Sequence, residues 1–326
     1  MILAGDIGGT KTNLALFKRE QGHLLMMAEA TYQSKCYTNL ETIIREFLGK
    51  FQPDKPISSA CFGVAGPVVG ERCKISNLPW VIMTSQLRQL LICEEVSLIN
   101  DLEAIGFGIP ALSARELMRL NPTASVQRGN GALIAAGTGL GEALLYWDGQ
   151  EFRPSASEGG NVDFAPRNEL QIELLRYLLK RFEHVSYEHV LSGPGLFNIY
   201  QFLRDSGYGA EPIWLKERLA QQDPAAVIAE AALTEEDSLC TQALDLFVAI
   251  YGAEAGNLAL KFMCFGGIYI GGGIATKILP KLHEGGFMCH FTDKGRFADL
   301  TASMPVYVIL NPKAGLLGAA RWASLF

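Results

Sequence analysis

The sequence predicts an α/β protein of two domains, and three observations carry that expectation. A chain of 326 residues, 49% of them hydrophobic, exceeds the size at which one core usually stops growing. In the first third, apolar runs and amphipathic stretches follow the order strand, strand, strand, helix, strand, helix, strand. A plan of apolar strand, small-residue turn and apolar strand occurs twice, at residues 4–15 and 133–146, near the start of each half.

The first occurrence reads Ala4-Gly5-Asp6-Ile7-Gly8-Gly9-Thr10-Lys11-Thr12-Asn13-Leu14-Ala15. Gly8 and Gly9 permit backbone conformations closed to other residues and let N–H groups approach a ligand, while Thr10 and Thr12 add hydroxyl donors. By itself the stretch is equally an ordinary glycine hairpin. Residues 23–32 are apolar enough for a third strand, and Asn39 caps a helix whose Leu40, Ile43, Ile44, Phe47 and Leu48 share one face. Residues 57–64 form a strand ending in Ala65-Gly66-Pro67, and residues 71–75 return toward Ser76. Thr84 caps a short helix through Leu91, and the buried strand 96–99 runs directly into Asn100-Asp101. Ligands are expected at strand carboxyl ends.

Residues 110–130 turn polar and proline-bearing, which suits a domain boundary. The second strand pair then encloses Gly137-Thr138-Gly139. Residues 170–182 carry a clear amphipathic face; Ser186 reads as a helix cap with Glu188 in the first turn, and Pro194 opens a helix toward Leu203. Residues 237–263 form a long helix in which Gly252 and Gly256, four apart, allow close packing. A strand at 265–270 enters Gly271-Gly272-Gly273, residues 276–282 are helical, 306–310 is the last strand and 313–326 the last helix.

A formal charge of −6 and a pI near 5.5 speak against nucleic acid or an acidic membrane as partner. The seven cysteines are scattered singly, with no CxxC pair, which suits buried thiols in a reducing cytoplasm. Neither a signal peptide nor an uninterrupted apolar run near the ~20 residues of a membrane helix is present.

The chemistry-bearing motifs each admit a bland reading. Thr10 stands where a Walker A loop needs glycine before Lys11, and neither turn fits GxGxxG opening a helix. Gly8-Gly9-Thr10 and Gly137-Thr138-Gly139 instead suit a pair of turns facing each other across a cleft and holding the β- and γ-phosphates of ATP. Gly271-Gly272-Gly273 would then leave a side-chain-free surface for adenosine. Asp101 is placed to accept a hydroxyl proton in phosphoryl transfer, or to cap the helix that follows it. Glu158 and Glu188 could grip the adjacent hydroxyls of a sugar, although Glu188 equally complements a helix dipole and Asp163 equally serves a turn.

Taken together, Asp6-Ile7-Gly8-Gly9-Thr10, Ile99-Asn100-Asp101, Ala136-Gly137-Thr138-Gly139-Leu140-Gly141, Glu158-Gly159-Gly160, His184-Val185-Ser186-Tyr187-Glu188, Leu191-Ser192-Gly193-Pro194-Gly195 and Gly271-Gly272-Gly273-Ile274 resemble the bacterial glucokinases. The resemblance covers nearly the whole chain, down to Gly315-Leu316-Leu317-Gly318. It implies the two-domain actin-like ATPase (ribonuclease H-like) fold with a ligand cleft between domains. Residues 1–109 and the helix 312–326 would form the small domain and 110–311 the large one.

The resemblance also implies ATP- and magnesium-dependent phosphorylation of glucose at the 6-hydroxyl. Asp101 would be the base, with Asn100, Glu158 and Glu188 holding the sugar and Asp6 meeting magnesium through water. Gly8, Gly9, Thr10, Gly137, Thr138, Gly139 and Gly271–273 would hold the nucleotide. Asn161 stands where these kinases usually carry histidine after Glu-Gly-Gly, which places it at the sugar and leaves the preferred hexose open. A kinase for another hexose and a non-catalytic sugar sensor of the same fold are the alternatives, and a homodimer stays open as the oligomeric state.

Overall fold

The computed structural model describes residues 1–75, 77–125 and 127–326, so Ser76 of the return segment lies outside the described residues. The chain divides into two compact units: Met1–Arg115, Phe152–Ala156 and Asn311–Phe326 form the first, and Glu116–Glu151 with Ser157–Leu310 the second.

The first unit opens with β1 (Ile2–Ile7), β2 (Lys11–Glu20), β3 (His23–Gln33), α1 (Leu40–Phe51) and β4 (Ser59–Val64). A small ladder of β5 (Val68–Val69), β6 (Arg72–Lys74) and β7 (Val81–Met83) leads to α2 (Thr84–Leu91), β8 (Val96–Asn100) and α3 (Asp101–Gly108). Its main sheet has the order β3-β2-β1-β4-β8, antiparallel through β1 and parallel from β1 to β8. Side chains alternate between two cores, as the period of two in a strand requires. Leu3, Ile7, Leu14 and Leu16 enter the core beneath α1 and α2, while Ile2, Ala4, Ala15 and Phe17 join Ala104, Phe107, Leu316 and Ala320 of α3 and the C-terminal helix Ala314–Ala323. The same parity turns Asp6 toward the α3 face.

Asn39 caps α1, its Oδ1 accepting from Thr42 N at 3.0 Å. Thr84 is not a cap: the helix begins at Thr84 itself with Met83 in the cap position, because the threonine side chain turns into the core and is 3% exposed.

The second unit adds β9 (Leu117–Arg119), β10 (Gly131–Ala136) and β11 (Leu140–Trp147), followed by β12 (Phe152–Ser157), most of which groups with the first unit. Then come α4 (Glu169–Leu178), α5 (Gly193–Asp205), α6 (Ile213–Gln221), α7 (Pro224–Leu233), α8 (Ser238–Phe262) and β13 (Gly267–Gly271). It closes with α9 (Gly272–Lys277), α10 (Leu279–His283), α11 (Gly286–Thr292), α12 (Ala298–Ala302) and β14 (Val306–Ile309). β11 and β10 form an antiparallel hairpin, and β13 and β14 continue in parallel from β10. This repeats the relation of β2, β1, β4 and β8, so the twofold plan read in the sequence is a duplication of architecture. Strand β9, in the polar stretch after residue 110, adds an antiparallel edge to β14 that the composition concealed.

Helix α8 is long and apolar enough to cross a membrane by length and composition, yet 78% of its apolar window is buried inside the protein. It is the core helix of its unit. A Cβ at Gly252 or Gly256 would lie 2.2 or 2.5 Å from the carbonyl oxygens of Phe287 and Phe291, so these glycines let α11 pack backbone to backbone. Residues 187–189 form only a single 3-10 turn after Ser186, in place of the helix expected there.

Candidate active site

In the first unit the parallel register sets Asp6 beside Gly63, and Gly63 beside Ile99, two residues before Asp101. A Cβ on Gly63 would lie 2.7 Å from Ala104 Cβ and 3.9 Å from Asp101 Cα. The bare glycine lets α3 descend onto the sheet and brings two carboxylates to one set of strand ends. Burial and then the Asp6 charge push the Asp101 carboxyl up to about 6. Burial also raises Asp6, against a hydrogen bond from Asn13 Nδ2 at 3.3 Å. Both residues have intermediate surface exposure, so they occupy a recess that reaches solvent while dense protein surrounds the charged groups.

Asn100, not Asp101, caps α3. Its Oδ1 accepts from Leu102 N at 2.9 Å, Glu103 Oε2 accepts from Asn100 N at 3.0 Å, and its Nδ2 donates to Gly66 O at 3.4 Å. Asp101 Oδ1 accepts from Leu102 N at 3.0 Å, which ties one carboxyl oxygen to the helix start. Asn13 escaped the sequence reading although it stands in the same motif. It faces Asp6 across the hairpin and is itself held by Thr31 Oγ1 at 2.8 Å.

The first glycine turn, Gly8-Gly9-Thr10, is braced from one side by Ser34. Ser34 Oγ donates to Gly8 O at 2.8 Å and Ser34 N to Thr10 O at 2.9 Å. In a trans peptide the following N–H points opposite to the carbonyl, so Gly9 N–H is directed away from Ser34. Thr12 is not a ligand donor as expected: it is fully buried and its hydroxyl pairs with Ser34 Oγ at 3.0 Å.

The second unit repeats this device. Gly193 N donates to Gly137 O at 2.8 Å, which directs Thr138 N–H away from α5. Space beside Gly137 and Gly273 is open, whereas Gly272 needs glycine twice over: its φ is +84° and a Cβ would meet Ala136 O at 2.2 Å. Gly271 ends β13 as the cap of α9. A cavity of about 510 Å³ is lined by Gly137, Thr138, Gly273, Ile274, Asp223 and Lys277 among others. That volume falls within the range of small-molecule and cofactor pockets, about 300–1,000 Å³. Gly139, Gly271 and Gly272 shape the backbone around it without lining it. Asp223 and Lys277 had no distinguishing signal beyond a helix start and a helix end.

The three candidate sugar residues of this unit converge on β11. Glu188 Oε2 accepts from Leu140 N at 2.9 Å, and a Cβ on Gly139 would lie 2.4 Å from the same oxygen. The carboxylate is thereby tied to the second glycine turn. Glu158 is exposed at the head of the short turn Gly159–Asn161, and Asn161, also exposed, donates from its backbone to Glu158 O at 2.9 Å. Gly160 packs on Leu140 and Gly159 on Glu142, while backbone bonds from Phe164 N to Val185 O and from Tyr187 N to Val162 O join this turn to the segment carrying Glu188. Asp163 is neither isolated nor merely a turn residue: it bridges to Ser186 and bonds His184 Nε2 at 2.8 Å.

A doubled hairpin-plus-parallel sheet, each copy ending in a braced glycine turn, is the architecture of the two-domain actin-like ATPase fold, the fold class to which sugar kinases belong. The glucokinase family model matches residues 3–325, and the chain belongs to that family. A glucokinase of Nostoc punctiforme is 43% identical over 99% of both chains. Among solved structures, a glucokinase from an Antarctic psychrotroph has a TM-score of 0.84 at 29% identity, covering 100% of this chain and 99% of its own. A ROK family glucokinase from Streptomyces griseus, solved in complex with glucose and AMPPNP, shares the fold with a TM-score of 0.65 at 19% identity, covering 100% and 99%.

Proposed function

We propose that the protein transfers the γ-phosphoryl group of ATP to the 6-hydroxyl of glucose, giving glucose 6-phosphate. The observation that carries this reading is the carboxylate of Asp101, held at the start of α3 beside Asp6 and pushed up to about 6. A base with that affinity is ionised at neutral pH and still accepts a proton well. Asp101 Oδ2 would take the hydroxyl proton as the sugar oxygen attacks phosphorus. Asn100, Glu158, Asn161 and Glu188 would hold the hexose, since carboxylates and amides accept and donate several hydrogen bonds to neighbouring hydroxyls.

The glycine turns would present Gly9 and Thr138 N–H groups to phosphate oxygens, with Thr10, Gly8, Gly137 and Gly139 shaping the approach. Gly271–Gly273 and the cavity beside them would take the adenosine. A buried carboxyl whose charge raises the proton affinity of its neighbour suits a hard divalent cation, and Asp6 would hold magnesium through water. Magnesium bound with ATP supplies neutralisation of the β- and γ-phosphate charge. The two compact units would serve as the small and large domains. All seven cysteines are free, which supports a reducing cytoplasmic location.

Hexose 6-phosphate formation measured with glucose, mannose and glucosamine, with ATP or polyphosphate as donor, tests the reading. The highest kcat/KM is expected for glucose with ATP; hexose binding with no hexose phosphate formed from either donor would make the protein a sensor. The raised Asp101 carboxyl sets an acid limb. Protonation disables the base, so kcat/KM is expected to fall about tenfold per pH unit below about 6 and to level off above it, in a profile from pH 4.5 to 8. Asn161→His is expected to lower the KM for glucose more than those for mannose and glucosamine. An equal change for all three would remove Asn161 from the selecting contact.

A further inference from the structure

The second unit buries two carboxyl groups to which the reaction above assigns no part. Glu142 on β11 is 2% exposed and Glu254 on α8 is 0% exposed. Among the described residues, Oε1 of each lacks a hydrogen-bond partner, although Lys261 Nζ stands 3.5 Å from Glu254 Oε1. Glu254, Lys261 and Tyr251 face Glu142 from α8, and Tyr187 faces it from the turn that precedes Glu188. Asn257 Nδ2 donates to Glu254 Oε2 at 2.8 Å, and Lys294 Nζ donates to Asn257 Oδ1 at 2.6 Å.

On its other side Glu142 carries the Glu158–Asn161 turn. A Cβ on Gly159 would lie 2.1 Å from Glu142 Oε2, so the carboxyl rests directly against the Gly159 backbone. Gly159 N donates to Ser157 Oγ at 3.2 Å, and Ser157 Oγ donates to Glu142 O at 3.0 Å. The turn that presents Glu158 and Asn161 is thus seated on one buried residue by packing and by hydrogen bonds.

We propose that Glu142 is a positioning residue for the hexose: its neutral carboxyl seats the Glu158–Asn161 turn, and loss of its proton unseats it. The inference rests on the reading that this turn binds the sugar. Burial and then the Glu254 carboxylate push Glu142 up to about 8, so the neutral form is the resident one at pH 7. Above that pH a second charge beside Glu254 is repelled in a site buried from bulk solvent, and the face that yields is the one formed by Gly159.

The sign for stability follows from the same direction. The folded value lies above the ordinary carboxylate value, so the cost is absent below about 4.5, grows as pH rises toward about 8 and is complete above it.

The test is the pH dependence of KM for glucose, KM for ATP and kcat between pH 6.5 and 9.5, in the wild-type enzyme and in Glu142→Gln. Glucose has no group that titrates there. In the wild type, KM for glucose is expected to rise by about tenfold per pH unit above about 8 while kcat holds; in Glu142→Gln it should stay within about twofold. Lys294, pushed down to about 8 by burial and by Arg167, titrates over the same range and remains in that variant. A rise retained in Glu142→Gln assigns the proton elsewhere and overturns the proposal. Glu142→Gln should also melt higher than the wild type at pH 8, with the difference shrinking toward pH 5.

Calorimetry on the wild type needs no variant. Glucose binding should take up close to one proton at pH 9 and none at pH 6.5, and zero uptake at pH 9 overturns the proposal. Glu158→Gln at pH 7 separates the two readings. An unchanged KM there removes the hexose from this turn, whereas a raised KM with a Glu142→Gln profile like the wild type removes only the positioning role.

Discussion

Asp101→Asn is expected to lower kcat by about 10³-fold while glucose still binds with near wild-type affinity. General-base catalysis by a positioned side chain contributes about 10²–10⁴-fold, and the amide keeps the shape and the acceptor for Leu102 N but cannot take the proton. The helix start should survive, since the cap is Asn100 with Glu103 and not Asp101. Turnover by ADP release and glucose affinity by calorimetry measure the two halves. Comparable turnover in the variant would return Asp101 to the role of a structural residue. The variant should also lose the acid limb near pH 6, and a retained limb would assign that proton to a group other than Asp101.

Gly318→Ala is expected to destabilise the first unit by roughly 3 kcal/mol, at the upper end of overpacking costs. The C-terminal helix crosses α3 with no side chain between the backbones. A Cβ at Gly318 would lie 1.7 Å from Ala104 O and 2.6 Å from Gly108 N, and one at Gly108 would lie 2.0 Å from Ala314 O. Backbone atoms cannot rotate away as a flexible side chain can, so the helices must separate and open the core of Ala104, Phe107, Leu316 and Ala319. A drop in Tm of ~10 °C corresponds to that cost for a unit of this size. Because α3 carries Asp101, turnover should fall as well. Gly49→Ala in α1 is the control. Open space surrounds that glycine, and alanine there should stabilise by about 0.5–1 kcal/mol through helix propensity alone. A Tm for Gly318→Ala within a degree of the wild type would show that the crossing relaxes at no cost.

The glycines illustrate how much of the site was legible. Gly252 and Gly256 announced a close helix contact by their spacing, and α11 makes that contact. Gly63 announced nothing, lying inside an ordinary apolar strand, yet its missing side chain lets α3 bring Asp101 toward Asp6. The caps divide in the same way. Asn39 caps α1 with its side chain at the surface, whereas Thr84 is drawn into the core and Ser186 opens only a single 3-10 turn. A residue type states what a side chain can do locally; burial decides whether it does so. Strand β9 was hidden for a related reason, since an edge strand of three residues pairs on one side only and carries too short a pattern to stand out.

The sequence by itself determined the α/β class, the two glycine turns, the Asn-Asp pair at a strand end and the membership that these motifs imply. Those features are written in neighbouring residues: the alternation of a strand, the glycines of a turn, the polar residue that ends an apolar run. Only the tertiary structure decided that Glu188 braces the second turn across 48 positions of sequence, that Thr12 is spent on Ser34, and that Glu142 and Glu254 are buried together behind the Glu158–Asn161 turn. Proximity between distant segments sets desolvation and charge coupling, and these two quantities, absent from any local window, fix the proton affinities and positions on which the proposed chemistry depends.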